Sequence, residues 1–374
     1  MKILHVTNYY HPHIGGIEQT ARDIVNSLPE GAEHKIICFN DDKKTAVDCV
    51  DGVEVVRCGA FVKVASQVVS FDFKKRLKKL FKEFNPDTVV FHYPNPFEAH
   101  YLLKCLKKRR DCKLIVWWHL DITKQKILGK FFIGQSKRLL NRAWKIIATS
   151  PNYLNSSPFL SKVKQKCCVI PSCINEERLA VSNAVKEKAE KIKQENCGKT
   201  VCFTLGRHVE YKGYEYLIKA SALLDESFKI YIGGKGKLTE SLKKQASGDK
   251  KIEFLGKISD DDMKAYMLAC DVYCFPSITK NEAFGLALAE AMYFGKPAIT
   301  FTIDGSGVNF VNIKNETGLE VENRNVEKYA EAIKLMASAP DLRDKYAKSA
   351  RERVLELFTY EKFKNNVKTL FYGE

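Results

Sequence analysis

Short runs of β-branched and aromatic residues alternate along this chain with segments of helical length. KILHVT, HKIICF, DTVVFHY, KLIVWWH and KIIATS lie in the first half, and TVCFTLG, FKIYIGG, KIEFL, DVYCFPS and KPAITF in the second. These runs are nearly continuous in apolar residues, so they need cover on both faces, and strands of that kind belong to parallel sheets flanked by helices. The pattern predicts a doubly wound α/β architecture. At 374 residues the chain exceeds what one hydrophobic core organises, so two such domains are expected. The series breaks between VIPSCIN and Thr200, where a proline-containing segment leads into a polar, charged helix. Domains are therefore expected at 1–172 and 199–356, with a linker and helix at 173–198 and an amphipathic terminal helix at 357–374. Two α/β domains facing each other would leave a cleft lined by strand C-termini and helix N-termini, where open α/β sheets take their ligands.

Composition removes several function classes. None of the twelve cysteines forms a C-x-x-C, which argues against a zinc ribbon or a thioredoxin-type site and for free thiols in a reducing cytoplasm. The opening MKILHVTNYY reads as a buried strand rather than a signal peptide, and no apolar run approaches the roughly 18–20 residues that span a bilayer. A cytoplasmic protein, neither exported nor membrane-integral, is expected. The formal charge of +16 is concentrated in residues 60–145, where 20 Lys and Arg face 6 Asp and Glu, an excess of 14. Something anionic is expected to dock there.

The segment NEAFGLALAEAM carries Glu282 and Glu290 eight positions apart on a helix otherwise made of small and apolar residues. Eight helical residues span about 12 Å, comparable to the separation of ribose and sugar ring in a nucleoside diphosphate sugar. Between the two acids, Phe284, Gly285 and Leu286 would form a first helical turn whose unpaired amides and positive dipole end favour a diphosphate, with Gly285 allowing close approach. A bare E-x7-E is more readily read as a helix-start acid followed by a solvated one. Context decides between the two. LGRHVEYKGY follows a strand and precedes a helix, bringing Arg207 and Lys212 to a strand end, where cations neutralise a diphosphate and the charge growing on it as a sugar departs.

Gly15 and Gly16 form a glycine turn between the first strand and first helix that would admit a phosphate or sugar near the backbone. GGKG at 233–236 does not complete a dinucleotide-binding fingerprint, which disfavours an oxidoreductase. WWHLDITKQK places His119 and Asp121 at the end of the fifth strand, to orient donor sugar or acceptor; a hydrogen-bonded structural histidine is the other reading. The acids Asp260 to Asp262 start a helix, so capping accounts for them and no metal site is expected.

LGRHVEYKG, FPSITKNEAFGLALAEAM, GKPAIT and ETGLEV, in that order and spacing, resemble the retaining GT-B glycosyltransferases of family 4, also called glycosyl transferases group 1. WWHLDITKQK, IIATSPNYLNSS, VIPSCIN and GSGVNFVN are most similar to the bacterial members that build O-antigen and exopolysaccharide on a lipid carrier. The resemblance implies two Rossmann-like domains facing a central cleft, an acceptor-side N-terminal one and a nucleotide-sugar-binding C-terminal one, with the last helix crossing back to the first. It implies Arg207 and Lys212 on the donor diphosphate, Glu282 on donor sugar hydroxyls, Glu290 on ribose, and main-chain amides of Phe284 to Leu286 on phosphate. Gly15, Gly16 and His119 would line the donor-sugar and acceptor side. It further implies retention of anomeric configuration, no metal or other cofactor, and GDP-mannose ahead of UDP-sugars as donor. In two places the chain departs from the family pattern. Cys173 and Asn175 stand where many relatives have Gly and Asp, and DGSGVNFVN differs from the commoner G-G-x-x-E.

In FDFKKRLKKLFKEF, Phe73, Leu77, Leu80, Phe81 and Phe84 fall on one helical stripe, with Lys74, Lys75, Arg76, Lys78 and Lys79 around it. Two readings stand: a basic amphipathic helix lying on an anionic membrane, where a lipid-linked saccharide acceptor would be found, or a helix whose stripe packs on its own domain. LLKCLKKRRDCK and KQKILGKFFIGQSKRLLNRAWK add charge beside large apolar residues and favour the inner membrane surface. A sugar-nucleotide epimerase is the alternative enzyme. A charge-driven nucleic-acid binder is the alternative outside enzymes, although no nucleic-acid motif accompanies the charge.

Overall fold

The computed structural model describes residues 1–13, 15–29, 31–64, 67–122 and 128–373. The chain divides into two compact units, Met1–Ile170 with Phe363–Glu374, and Pro171–Lys362.

The first unit contains β1 (Lys2–Val6), β2 (Glu33–Phe39), β3 (Ala46–Val50), β4 (Val53–Cys58), the short hairpin β5 (Val62–Val64) and β6 (Gln67–Val69), then β7 (Thr88–Tyr93), β8 (Lys113–Trp118), β9 (Lys145–Ala148) and β10 (Cys167–Val169). Its main sheet runs in the order β10-β9-β8-β7-β1-β2-β4-β3. All neighbours are parallel except β3, which folds back antiparallel on β4 at the edge. The middle strands are the most deeply buried, and β7 is buried at every position. The chain winds outward from β1 to one side, then returns to β7 and winds outward to the other, so the direction of winding reverses between β1 and β7. Side chains from the two loops that leave these strands interlock there: Asn95 Nδ2 donates to Asn8 Oδ1 at 2.7 Å and Asn8 Nδ2 to the Pro94 carbonyl at 3.3 Å. The terminal helix Tyr360–Tyr372 contributes Phe363 to this unit, its ring centroid 6.0 Å from that of Trp117.

The second unit contains β11 (Thr200–Leu205), β12 (Phe228–Gly233), β13 (Ile252–Gly256), β14 (Val272–Phe275), β15 (Ala298–Phe301) and β16 (Gly318–Val321) in the order β13-β12-β11-β14-β15-β16, all parallel. Here the winding reverses between β11 and β14. The expected linker at 173–198 is part of this unit. Its helix Asn183–Glu195 buries Val185, Ala189 and Ile192 in the same core as the sheet, because the apolar positions of this charged helix recur three or four residues apart on one face.

The helix Phe73–Glu83 decides between the two readings of its stripe. Phe73, Leu77, Leu80 and Phe81 are buried in the first unit, as is Phe84 just after it. Phe73 is thus a core residue and is withdrawn as a membrane contact. Lys74, Lys75, Lys78 and Lys79 remain exposed, while Arg76 is held by Asp72 at 2.8 Å. The exposed aromatic residues nearby are Phe71, at 78%, and Phe61, at 42%, whose rings lie 5.0 Å apart. The lysines at 124 and 126 of the second basic stretch lie outside the described residues.

Candidate functional site

Reversal of winding in a parallel sheet leaves the C-terminal ends of two neighbouring strands open, with loops turning away to opposite sides, and ligands bind there. In the second unit the loop after β11 is GRHVEYKG and the loop after β14 is PSITKNEAFG, so the two motifs meet though about 70 residues separate them. Their ion pair is direct. Lys212 Nζ lies 2.5 Å from Glu282 Oε2, and the side chains are 13% and 12% exposed. Ser277 Oγ donates to the same carboxylate oxygen at 3.1 Å, and the Lys212 ammonium sits 4.9 Å from the centre of the Phe275 ring.

Glycines make this approach possible. Gly213 has φ +63°, and a Cβ there would overlap the Pro276 carbonyl oxygen, so the β11 and β14 loops touch main chain to main chain. Gly206 leaves room for the end of Lys212 and for the Tyr214 hydroxyl. The GGKG segment serves packing: side chains at Gly234 or Gly236 would overlap the backbone at Gly206 or His208. That support presents Arg207, which is exposed and has no ion pair among the described residues.

Gly285, at φ +96°, caps the helix Leu286–Tyr293 and packs against the Phe275 ring. The amides of Phe284, Gly285, Leu286 and Ala287 have no acceptor among the described residues, which leaves a helix N-terminus ready for an anion. Ser306, fully buried, donates from Oγ to the Glu282 carbonyl at 2.6 Å, and a side chain at Gly307 would overlap the Ala283 carbonyl. The divergent DGSGVNFVN loop therefore braces the Glu282 loop, a function its sequence did not announce.

Glu290 lies just over one turn into the helix, whereas Glu282 stands in the loop before it, so the expected helical spacing of the two acids is corrected; Glu290 is at 12% side-chain exposure, paired with Arg178. Burial raises its carboxyl above the ordinary range, against the pull of the Arg178 guanidinium. Arg178 also meets Asp260 at 2.9 Å. Sequence reasoning missed Arg178 because it stands in the stretch taken for a linker. Asn175, where relatives carry Asp, accepts the Arg178 amide on Oδ1 at 2.8 Å and so builds the turn that delivers this arginine. The neighbouring acids have partners of their own: Asp261 pairs with Lys264 at 2.7 Å, and Asp262 completes a capping box with Ser259 and meets Lys188.

The other expected residues lie in the first unit. Gly15 caps the helix Gly16–Ser27 in an extended conformation, with the Glu18 carboxylate over the place a Cβ would occupy. A carboxylate there repels phosphate and suits hydroxyls, which weighs against the phosphate expected at this turn. His119 is 6% exposed, its Nε2 3.1 Å from His92 Nδ1, and burial pushes its pKa down to about 3. Asp121, 2% exposed, accepts from Trp118 Nε1 at 2.9 Å and from Ser157 Oγ at 2.8 Å. Through Oδ1 the carboxylate braces the end of β8.

Two family models match the chain in tandem: "Glycosyltransferase Family 4" over residues 14–178 and "Glycosyl transferases group 1" over residues 185–353. Among characterised relatives, the chain is 28% identical to O-antigen chain mannosyltransferase C of Escherichia coli, covering 96% of this chain and 95% of that one. It is 29% identical to the D-rhamnosyltransferase WbpZ of Pseudomonas aeruginosa, covering 96% and 92%. Among solved structures, the Anabaena protein HepE in complex with UDP-glucose superposes with a TM-score of 0.78 at 16% identity over all of both chains. WaaG, a glycosyltransferase involved in lipopolysaccharide biosynthesis, gives 0.70 at 16% identity, again over all of both chains. At those identities the likeness speaks for the fold, which is GT-B.

Proposed function

The chain belongs to the family 4, group 1 glycosyltransferases, and we propose that it transfers a hexose, mannose in preference, from a nucleoside diphosphate sugar to a lipid-linked glycan, with retention of configuration and without a metal. The observation that carries this reading is the meeting of Arg207, the Lys212–Glu282 pair and the open helix N-terminus at Gly285 around one pair of strand ends.

In this reading the diphosphate lies against the amides of Phe284 to Leu286 and accepts from Arg207 and Lys212. Their fixed charges match the negative charge that grows as the glycosidic bond lengthens, and so replace a metal's contribution. Lys212 is shared with Glu282, so a phosphate that draws the ammonium towards itself frees one carboxylate oxygen to accept a hydroxyl of the donor sugar. Glu290 takes the ribose hydroxyls once Arg178 yields, with Asp260 keeping that guanidinium paired. The acceptor hydroxyl attacks from the face the nucleotide leaves and passes its proton to the departing phosphate. In the first unit, His119 and the Gly15–Gly16 turn are the candidates for handling a sugar or acceptor hydroxyl. A relative named as a mannosyltransferase supports mannose, and the names of both relatives favour transfer over epimerisation.

Among the described residues no helix is long and apolar enough to cross a membrane. The reading places the protein at the inner membrane surface through the lysines of Phe73–Glu83 and the exposed Phe61 and Phe71, with about 1 kcal/mol from each basic residue near anionic headgroups. To test the function, the purified protein is given GDP-mannose or UDP-glucose, with and without lipid-linked acceptor and with a chelator present, and the product anomer is read by NMR. Transfer of mannose with retention is expected; inversion, chelator sensitivity or product formed without acceptor contradicts the reading.

A further inference from the structure

Four of the eight histidines stand side by side across neighbouring strands of the first unit, in the order His119 after β8, His92 on β7, His5 on β1 and His34 on β2. His5 and His92 have no exposed surface. The ring centroids are 5.4 Å apart for His119 and His92, 6.2 Å for His92 and His5, and 5.3 Å for His5 and His34. Their polarity repeats. His119 Nε2 meets His92 Nδ1 at 3.1 Å, and His5 Nε2 meets His34 Nδ1 at 3.1 Å. The nitrogens on either side of the remaining step, His92 Nε2 and His5 Nδ1, are buried and without a protein partner, as is His34 Nε2 at the far end.

A neutral imidazole has one N–H and one lone pair. When Nε2 of one ring meets Nδ1 of the next, one must donate and the other accept, so both rings carry their proton on the same kind of nitrogen. Burial lowers all four rings, His5 and His92 well below the ordinary value, and keeps them neutral near pH 7. We propose that His92, with His5 and His34 behind it, is a positioning residue that ties the tautomer of His119 to its own, and so sets with it whether His119 Nδ1 donates to or accepts from a hydroxyl of the sugar or acceptor. No hydrogen bond spans the His92–His5 step, but an N–H turned towards a lone pair is the arrangement there that avoids facing like groups, and it extends the same sense to His34. The role of His119 rests on the reading above; the shared tautomer does not.

The test uses the full chain with 15N-labelled histidine and two-bond 1H–15N correlation spectra at pH 7. All four rings neutral and protonated on the same nitrogen is the expected result. In His92→Phe, His119 becomes a mixture of tautomers and kcat/KM for the acceptor falls at least fivefold, while the dissociation constant for GDP, read in the other unit, is unchanged. His92→Asn, which keeps a group at the Nδ1 position, recovers part of that loss. Opposite tautomers in His119 and His92, a charged ring at pH 7, or an unaltered His119 tautomer in His92→Phe overturns the proposal. The wild-type spectrum decides by itself if a variant fails to fold. Loss of glycosyl transfer with the shared tautomer intact would instead count against the functional reading.

Discussion

At the scale of single residues, the Lys212–Glu282 pair divides its labour between holding the loops and serving a donor. Glu282→Gln keeps the size and the Ser277 contact but removes the charge, so the ammonium loses its fixed partner and sugar hydroxyls their acceptor. The expected outcome is a kcat reduced about 10²- to 10³-fold with GDP affinity changed far less, checked by steady-state kinetics beside calorimetry. Equal losses in both would make Glu282 a structural residue. The two motifs themselves were legible in sequence, since acids and cations stood at predicted strand ends. Their pairing was not, because only the adjacency of β11 and β14 joins Lys212 to Glu282. Arg178 was hidden for a related reason: a lone arginine in a charged stretch has no signature until Glu290 and Asp260 are folded against it.

At the scale of elements, glycine positions separate tight packing from simple turns. Gly213 and Gly248 both have positive φ, but a Cβ at Gly248 meets nothing, whereas one at Gly213 overlaps the Pro276 carbonyl. Gly248→Ala should cost about 1–2 kcal/mol for the backbone conformation alone. Gly213→Ala should cost more and also displace Lys212, so thermal unfolding and activity measured on both variants should show loss of turnover in Gly213→Ala only. The helix Phe73–Glu83 supplies a second contrast. Phe73→Ala empties a core position and should destabilise by about 3–5 kcal/mol. Phe71→Ala, at an exposed position, should leave the melting temperature alone and weaken binding to vesicles containing anionic lipid, as should charge reversal at Lys74, Lys75 and Lys78. Vesicle binding equal to wild type in both exposed-face variants would remove the membrane from the account. Periodicity could not separate these roles, because a core stripe and a membrane stripe share one spacing; Phe71 and Phe61 lie off that stripe.

At the scale of the whole molecule, the histidine row makes the first unit sensitive to acid. Burial holds His34 at about 4 and His119 at about 3, below the ordinary value of 6.5. The unfolded chain therefore takes up protons first as pH falls below about 6.5, and the stability these groups contribute, full above that pH, is lost progressively towards their folded values. Buried Glu98 and Glu290, raised by burial, act in the opposite sense and favour the folded state at low pH. The lowered rings, which include His100 and His208 besides these four, outnumber the raised acids Glu98, Glu290 and Glu320, so the melting temperature should fall from pH 7 to pH 5, and less steeply in His5→Phe; a flat profile in wild type would show that the row is not neutral. In sequence His5 and His92 were isolated polar residues inside apolar runs and His34 one of three polar residues opening β2, and only the parallel register makes them a row. The fold itself was legible, because near-continuous apolar strands spaced by helices have few alternatives. The central claim is that the strand ends of β11 and β14 hold a nucleoside diphosphate through Arg207, Lys212 and the amides at Gly285. Calorimetric titration of GDP and UDP into wild type and Arg207→Ala tests it most directly. The account predicts saturable binding to the wild type, weakened about 10- to 100-fold in the variant as a charge-assisted contact to phosphate is lost; equal affinity in the two proteins, or no nucleotide binding by the wild type, would contradict it.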